Sequence, residues 1–394
     1  MDVSFLVVVV IVTALAFDFT NGFHDTANAM ATSIATGALR PRVAVVISGI
    51  LNVIGAFIST EVAKTISGGI IDDSKLTAPG VNGTAIIFAG LIGAVLWNLV
   101  TWLIGLPSSS SHALFGGLIG AVWVVVGVDA INFNMVFSKI ILPALISPFV
   151  CGLVALIGTY AAYTITHRAD KKTAEGGFRR GQTMSASMVS LAHGTGDAQK
   201  TMGVITLVLI INGYQASGSG PLPWVILTSG LAIGLGTAVG GWRIIRTMGK
   251  GLTDIESPQG FAAETASTAV LLASAHMGFA LSTTQVCSGG ILGAGLGRRL
   301  AEVRWNVAGR MALAWLFTLP VAALIGAMAG KLASQGNGGV LAVAVVALLL
   351  VGFIVMRSRR APVTSENVND LPSSLALVPD PAPIPEPAAA PIAV

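Results

Sequence analysis

The length of the apolar runs constrains this chain more than any other sequence feature. The first run covers residues 3–39, and similar runs recur through a chain that is 54% hydrophobic and only 10% charged. Soluble domains carry about 25% charged residues. Runs of about 20 apolar residues predict membrane-spanning α-helices, because a helix satisfies its own backbone hydrogen bonds in lipid. We therefore expect an all-α, multi-pass membrane protein with about ten to twelve membrane segments.

A polar motif lies inside the first run, at residues 17–29 with the sequence FDFTNGFHDTANA. As one helix the run would be roughly 50 Å long, which exceeds a bilayer core of about 30 Å. We therefore expect it to tilt strongly, kink or unwind near Asn21 and Gly22. Asp25 would then lie at membrane depth, where a charge costs about 2.5–3.5 kcal/mol or more and indicates function.

A related motif, LAHGTGDAQKTMG, occupies residues 191–203. Aligning Gly22 with Gly194 places Asp25 on Asp197, at an offset of 172 residues. One buried aspartate is readily explained as a structural polar group. A matched pair in two halves of a chain favours a functional site.

Two clusters of hydroxyl residues repeat in the same way. SSSSH at residues 108–112 and STTQ at 282–285 each follow an apolar segment and precede a glycine-rich one, at an offset of 173 residues. This offset differs by one residue from that of the aspartate motifs. Agreement between two independent motifs predicts an internal duplication.

Five basic turns, at residues 40–42, 167–180, 243–250, 298–304 and 357–360, predict the orientation in the membrane. The positive-inside rule makes them cytoplasmic, so the net charge of +4 reflects loop topology rather than a nucleic-acid partner. The N-terminus is then outside, and the C-terminal tail is inside, in an inner (plasma) membrane.

This orientation is consistent if residues 84–128 and 261–297 each return to the side they entered. Each would then be a re-entrant hairpin with its hydroxyl cluster at the tip, and the two repeats would be inverted, as in secondary transporters. If each hairpin arm instead crosses the membrane completely, the loops lie on the same sides as before. The charge rule therefore leaves both arrangements open. The expected division of the chain is a first repeat at 1–166, a basic cytoplasmic linker at 167–182, a second repeat plus a final helix at 183–356, and a proline-rich disordered tail at 357–394.

The hydroxyl clusters suit an oxyanion. Hydroxyls donate hydrogen bonds, and the free N–H groups and dipole of the following helix start favour negative charge. The alternative is that the clusters are ordinary helix caps or packing residues. The candidate anion-binding residues are Ser109, Ser110, Ser111, Ser282, Thr283 and Thr284.

The aspartate motifs suit a coupling ion, because an anion needs no carboxylate beside it unless a cation or proton intervenes. Neutral oxygens are typical of a Na⁺ site, whereas histidines titrate near physiological pH and could carry protons. Lysine could balance the charge of an anion, and the histidines could instead be hydrogen-bonded core residues. The candidate residues are Asp25, Asn28, Asp197, Asn21, His24, His193, Gln199 and Lys200.

Two pairs of residues are each compatible with two roles. His112 and Gln285 abut the tips and suit anion contact or packing equally. Glu264 and His276 lie in the first arm of the second hairpin, where a proton relay and a structural pair are both compatible with the sequence.

An enzyme is disfavoured. His193 and Asp197 have a metal-ligand spacing, but the HExxH motif of a metalloprotease is missing its glutamate, and neither serine run shows GxSxG. Acidic residues paired across inverted repeats also fit a carrier better than an anion channel. We expect a transporter without a cofactor.

With these motifs, residues 1–356 resemble the inorganic phosphate transporter (PiT) family, and in particular its bacterial low-affinity permeases. GFHDTAN at residues 22–28 is similar to the family's GANDxAN signature, and GTGDAQK at 194–200 is similar to the partner signature. The resemblance implies ion-coupled uptake of inorganic phosphate. It implies that Asp25 and Asp197 belong to the coupling sites and that the two tips surround the phosphate.

The departures from the signature bear on the coupling ion. His24 and Gly196 stand where many members have asparagine, and the loss of two neutral ligands disfavours Na⁺. The FHDTAN version is similar to members thought to run on protons and to carry phosphate partly as a neutral metal complex. We therefore expect H⁺ symport, with a Na⁺ symporter (Asp25 and Asp197 as ligands) or a sulfate permease of the same family as alternatives. A homo-oligomer is compatible with the sequence.

Overall fold

The structure is a computed structural model that describes residues 3–298 and 303–370. The described part of the chain is built of α-helices joined by short π- and 3₁₀-helical turns, with two isolated β-bridges. The helices are α1 Val3–Ala35, α2 Pro41–Gly55, α3 Glu61–Thr65, α4 Asp73–Leu76, α5 Gly83–Ile104, α6 Ser110–Val125, α7 Phe133–Val136, α8 Leu142–Thr166, α9 Lys171–Ile211, α10 Pro223–Val239, α11 Trp242–Arg246, α12 Ser257–His276, α13 Thr283–Leu296, α14 Trp305–Ala333 and α15 Asn337–Ser358.

The helical membrane class expected from the sequence is confirmed. Over the described residues, five helices are long and apolar enough to cross a membrane: α1, α5, the continuous helix Phe133–Thr166, α14 and α15. A sixth span would combine α10 with the segment Trp242–Gly251, which is bent from it by 60°. The larger number expected from the sequence counts shorter or more polar helices such as α2, α9 and α12.

Helix α1 does not unwind at Asn21 and Gly22, so that part of the expectation is wrong. The helix is continuous over 33 residues. Gly22 instead lies against α10, where an added Cβ would be 2.3 Å from the carbonyl oxygen of Ile233. The glycine therefore serves close helix packing, which is a common use of small residues in membrane helices.

The two halves of the chain pack across each other. Helix α1 contacts α10, and α9 contacts α2 in the same manner. In the second contact an added Cβ at Gly194 would be 2.2 Å from Asn52 O, and one at Gly55 would be 2.2 Å from Leu191 O. Helix α6 likewise packs on α14, and α13 packs on α8. These exchanged contacts support the duplication, while the inverted orientation of the repeats stays a prediction.

Two helical hairpins occupy the ranges expected for them. Helices α5 and α6 form the first, and α12 and α13 form the second. The first arm of each ends near a glycine in the left-handed region, Gly105 with φ 68° and Gly278 with φ 67°. These glycines are 173 residues apart, which is the offset of the hydroxyl clusters. The tips meet, because Ser111 Oγ donates a hydrogen bond of 2.8 Å to Leu281 O.

The basic turns are linked to each other and to the segment after α15. Arg243 donates hydrogen bonds to the carbonyl oxygens of Ser358 and Ala361, and Arg42 lies 3.5 Å from Glu366. Val368 is buried, so residues 359–370 pack onto the helices. The rest of the predicted tail, residues 371–394, lies outside the described residues, as does Arg299 of the fourth turn.

The glycine contact between α9 and α2 gives the first testable prediction. Gly194→Ala should lower the thermal unfolding midpoint in detergent, because overpacking of a closely packed contact typically costs about 1–3 kcal/mol. Gly196→Ala is the matched control on the same helix, since an added Cβ there meets nothing within 4 Å. Equal unfolding midpoints for the two variants would contradict the close α9–α2 contact.

Candidate ion and anion site

The two aspartates of the repeated motifs lie at the contact between α1 and α9. Asp25 and Asp197 are 0% and 1% exposed, respectively. Both hairpin tips approach this contact, so four helical elements surround the two carboxylates. The sequence predicts that the two tips meet and that the aspartates have a separate role at the coupling ion, whereas the structure brings all four motifs together.

Asp25 is held by both hairpin tips. Its Oδ2 accepts hydrogen bonds from Ser110 Oγ at 2.9 Å and from Thr283 Oγ1 at 3.1 Å. Its Oδ1 lies 2.6 Å from His24 Nδ1 and accepts a bond of 3.4 Å from Thr284 Oγ1. Hydroxyls from the first and the second hairpin therefore share one carboxylate.

Asp197 is paired with a buried cation. Lys200 Nζ donates to its Oδ1 at 2.6 Å, and both side chains are 1% exposed. Its Oδ2 accepts a bond of 3.2 Å from Asn21 Nδ2 and lies 3.4 Å from His193 Nε2. A buried ion pair of this kind is costly to desolvate and very sensitive to removal of one partner.

Each histidine links an aspartate to a neutral group on another helix. His24 Nε2 lies 3.1 Å from Thr101 Oγ1 and 3.3 Å from Ser108 Oγ. His193 Nδ1 lies 3.1 Å from Asn52 Oδ1. His24 and His193 are both hydrogen-bonded core residues, and both also contact the carboxylates. The structure is therefore compatible with a structural role and with a role in carrying protons. Thr101, Ser108 and Asn52 were not among the predicted residues.

The asparagines leave free oxygens near the carboxylates. Asn28 Nδ2 donates to Thr283 Oγ1 and to Thr284 Oγ1, each at 3.1 Å. Its Oδ1 and that of Asn21 are buried and have no hydrogen-bond partner among the described residues. Free amide oxygens beside carboxylates are typical ligands of hard cations.

One group of side chains could hold a cation together. Ligand atoms of Asp25, His193 and Asp197 lie within 4.8 Å of one another, and all three residues are buried. Two carboxylates and an imidazole suit a proton network or a divalent ion, because imidazole is a ligand of transition metals.

Four predicted residues point elsewhere, and the first is Ser111, whose Oγ donates to Leu281 O at 2.8 Å. Ser109 Oγ accepts from His112 N at 3.2 Å, and Ser282 Oγ accepts from Gln285 N at 3.4 Å, so each serine caps the second helix of its hairpin. Gln199 Oε1 accepts from the backbone N–H groups of Val62 and Ala63 in the first turn of α3, at 2.7 and 3.2 Å. All three serines were expected to face an anion, and N-cap positions explain the orientation of Ser109 and Ser282.

The residues left open by the sequence are also placed. His112 Nδ1 and Gln285 Oε1 are buried without a partner among the described residues. Glu264 accepts four hydrogen bonds, and His276 lies at the exposed end of α12, bonded to its own helix. A direct relay between Glu264 and His276 is therefore absent. The four donors to Glu264 are Thr32, Ser33, Gln182 and Ser185.

Comparison with known proteins shows the family to which this chain belongs. Residues 21–326 match the description "Phosphate transporter family". The chain belongs to this family. Its relatives include proteins named "Probable low-affinity inorganic phosphate transporter" from Mycobacterium bovis, at 55% identity over 93% of this chain and 87% of the relative, and from Bacillus subtilis, at 40% identity over 82% and 96%. These relatives are named as transporters, in agreement with the prediction that the chain is not an enzyme.

A solved structure has the same fold. It is described as "The sodium-dependent phosphate transporter" and matches with a TM-score of 0.72, covering 82% of this chain and 97% of its own. The sequence identity is 22%, so the similarity establishes the helical architecture and not the coupling ion.

The Asp197–Lys200 pair gives the second prediction. Lys200→Met should destabilise the folded protein by about 3–5 kcal/mol, because it leaves a buried carboxylate without its cation. Adding Asp197→Asn should recover most of this loss, as measured by unfolding in a denaturing detergent titration.

The control is Arg179→Met, which removes an exposed i,i+4 pair with Glu175 on the same helix. Exposed pairs contribute about 0–1 kcal/mol, so this variant should unfold like the wild type. Equal stability of Lys200→Met and Arg179→Met would show that the buried pair does not stabilise the folded protein.

Proposed function

We propose that this protein is a secondary active symporter that imports inorganic phosphate with H⁺ across the plasma membrane, with the N-terminus outside and the C-terminal tail in the cytoplasm. The observation that carries the proposal is the convergence of hydroxyls from both hairpin tips on Asp25. The names of its relatives and the family description support the substrate.

The hydroxyls that bind Asp25 are also the donors that a phosphate oxygen needs. While Asp25 is ionised, Ser110, Thr283 and Thr284 donate to its carboxylate. Protonation of Asp25 weakens these bonds and frees the hydroxyls for an oxyanion. Cation binding and phosphate binding are then coupled, because both depend on the charge of one carboxylate.

The charge balance favours loading by a cation. The buried ammonium of Lys200 offsets the charge of Asp197, so an ionised Asp25 leaves a net negative charge that opposes phosphate entry. One proton on Asp25 removes this charge. A divalent ion bound with phosphate as a neutral complex would do the same at the Asp25, His193 and Asp197 group.

Alternating access follows from the hairpins. Each arm ends near a glycine in the left-handed region, which allows the tip backbone to change direction. We propose that one hairpin opens to the outside and the other to the inside in turn, around a site that both tips close.

The experiment is transport in liposomes. The purified protein is reconstituted, and labelled phosphate uptake is followed under an imposed pH gradient, then under a Na⁺ gradient at equal pH, with sulfate as competitor. Uptake driven by the pH gradient alone supports the proposal. A strict Na⁺ requirement would instead favour coupling through the free asparagine oxygens, and sulfate uptake without phosphate uptake would change the substrate.

Substitution of the aspartates gives the third prediction. Asp25→Asn and Asp197→Asn should each reduce gradient-driven uptake to background, the first because the amide cannot take up or release a proton, and the second because it leaves the buried Lys200 ammonium without its partner. Asp129→Asn, at an exposed aspartate, is the control and should transport at the wild-type rate. Normal accumulation by both variants would refute the mechanism.

A further inference from the structure

A third aspartate lies at the same helix contact but has no role in the site described above. Asp18 is 0% exposed and precedes Asp25 by seven residues in α1. Residues at this spacing share one face of a helix, and Asn21 lies between them on that face. At 1.5 Å per residue, Asp18 is about 10 Å from Asp25 along the helix.

The carboxylate of Asp18 is unsatisfied. Neither of its oxygens has a hydrogen-bond partner among residues 3–298 and 303–370, and the same is true of the hydroxyl of Thr201. Helix α1 packs against α9, and Thr201, Asp197 and Lys200 of α9 are the polar and charged neighbours of Asp18. A buried carboxylate without donors is costly as an anion, so the group needs a cation or a proton.

The other helices around α1 offer Asp18 no counter-charge. Helices α5 and α10 pack against α1 and contain no titratable side chain, and the arginine of α2, Arg42, is exposed. The segment that carries Arg243 and Lys250 meets α1 from Phe23 onward, beyond Asp18.

Titratable groups of the hairpins also reach α1 beyond Asp18. Glu264 of α12 contacts α1 at Thr32 and Ser33. Ser110, which bonds to Asp25, begins α6, and this helix carries His112. Thr283, which bonds to Asn28, begins α13, and this helix carries Cys287.

Helix α9 therefore supplies the charges that act on Asp18. Lys200 Nζ is already bonded to Asp197 at 2.6 Å. The ammonium of Lys200 thus acts on two carboxylates, those of Asp197 and Asp18. The combined charge of the three side chains is −1 when both carboxylates are ionised. Binding of one proton neutralises this group of three side chains.

We propose that Asp18 binds a second coupling proton, separate from the one on Asp25. This inference rests on the proposed H⁺ symport. The proton forms an O–H bond on one Asp18 oxygen, with Thr201 as the hydrogen-bond partner, and it is returned to water when the site opens to the other side. A proton fits better than Na⁺, because a metal cation needs several more oxygen ligands than these two side chains supply.

The test measures how much phosphate the protein accumulates. Wild type and Asp18→Asn are compared in liposomes with an imposed gradient of one pH unit, and phosphate–phosphate exchange is measured without a gradient. Each coupling proton contributes a factor of about ten to the accumulation ratio at one pH unit. Asp18→Asn should therefore accumulate about tenfold less phosphate than the wild type and keep its exchange activity.

Three further variants define the outcome. Asp18→Glu should restore accumulation, because it returns a carboxylate. Thr201→Val should lower accumulation, whereas Thr206→Val, at a buried unpartnered hydroxyl further along the same helix, should not. These variants also test the inference if Asp18→Asn does not fold.

Some results would overturn the inference. Equal accumulation by Asp18→Asn and wild type would do so, as would loss of exchange together with accumulation in a folded Asp18→Asn protein. Accumulation that depends on Na⁺ at Asp18 would also exclude a proton there. If the wild type itself does not respond to the pH gradient, the proposed function fails, and this is a different result from a wild type and variant that respond alike.

Discussion

The burial of carboxylates where two helices cross is the constraint on which the rest of the structure depends. Asp25 remains buried because two hairpins deliver hydroxyls to it, and Asp197 remains buried because Lys200 is placed three residues further along its own helix. In lipid each unpaired charge would be expensive. The helix breaks and the close glycine contacts are means of bringing these donors to the carboxylates.

Much of this arrangement was predictable because two kinds of motif occur twice in the sequence. The matched aspartates, the hairpins and the hydroxyl clusters all follow from two offsets that nearly agree. The sequence could not predict in which direction each hydroxyl points at the start of its helix. Ser109 and Ser282 were therefore expected at the anion site, whereas in the structure they cap helices. Gln199 was expected at the coupling ion, whereas its side chain caps the start of the short helix α3.

Comparison of the two halves also could not predict residues that are present in one half only. Asp18 aligns with Ser190 at the offset of the aspartate motifs, so a search for matched pairs passes over it. Its burial becomes evident only when α9 is packed against α1. Glu264 has Leu91 as its counterpart and was noticed as a charge in an apolar run, but its four donors come from α1 and α9.

These unmatched acids lie on either side of the central pair. Asp18 precedes Asp25 by seven residues, and Glu264 contacts Thr32, which follows Asp25 by seven residues. Glu264 accepts hydrogen bonds from four neutral donors, whereas Asp18 has none among the described residues. The two ends of the contact between α1 and α9 therefore differ, because the carboxyl at one end has four donors and the carboxyl at the other has none. The proposed symporter thus has a difference between the two ends of this contact, which a carrier needs if the release of its proton is to differ from its uptake.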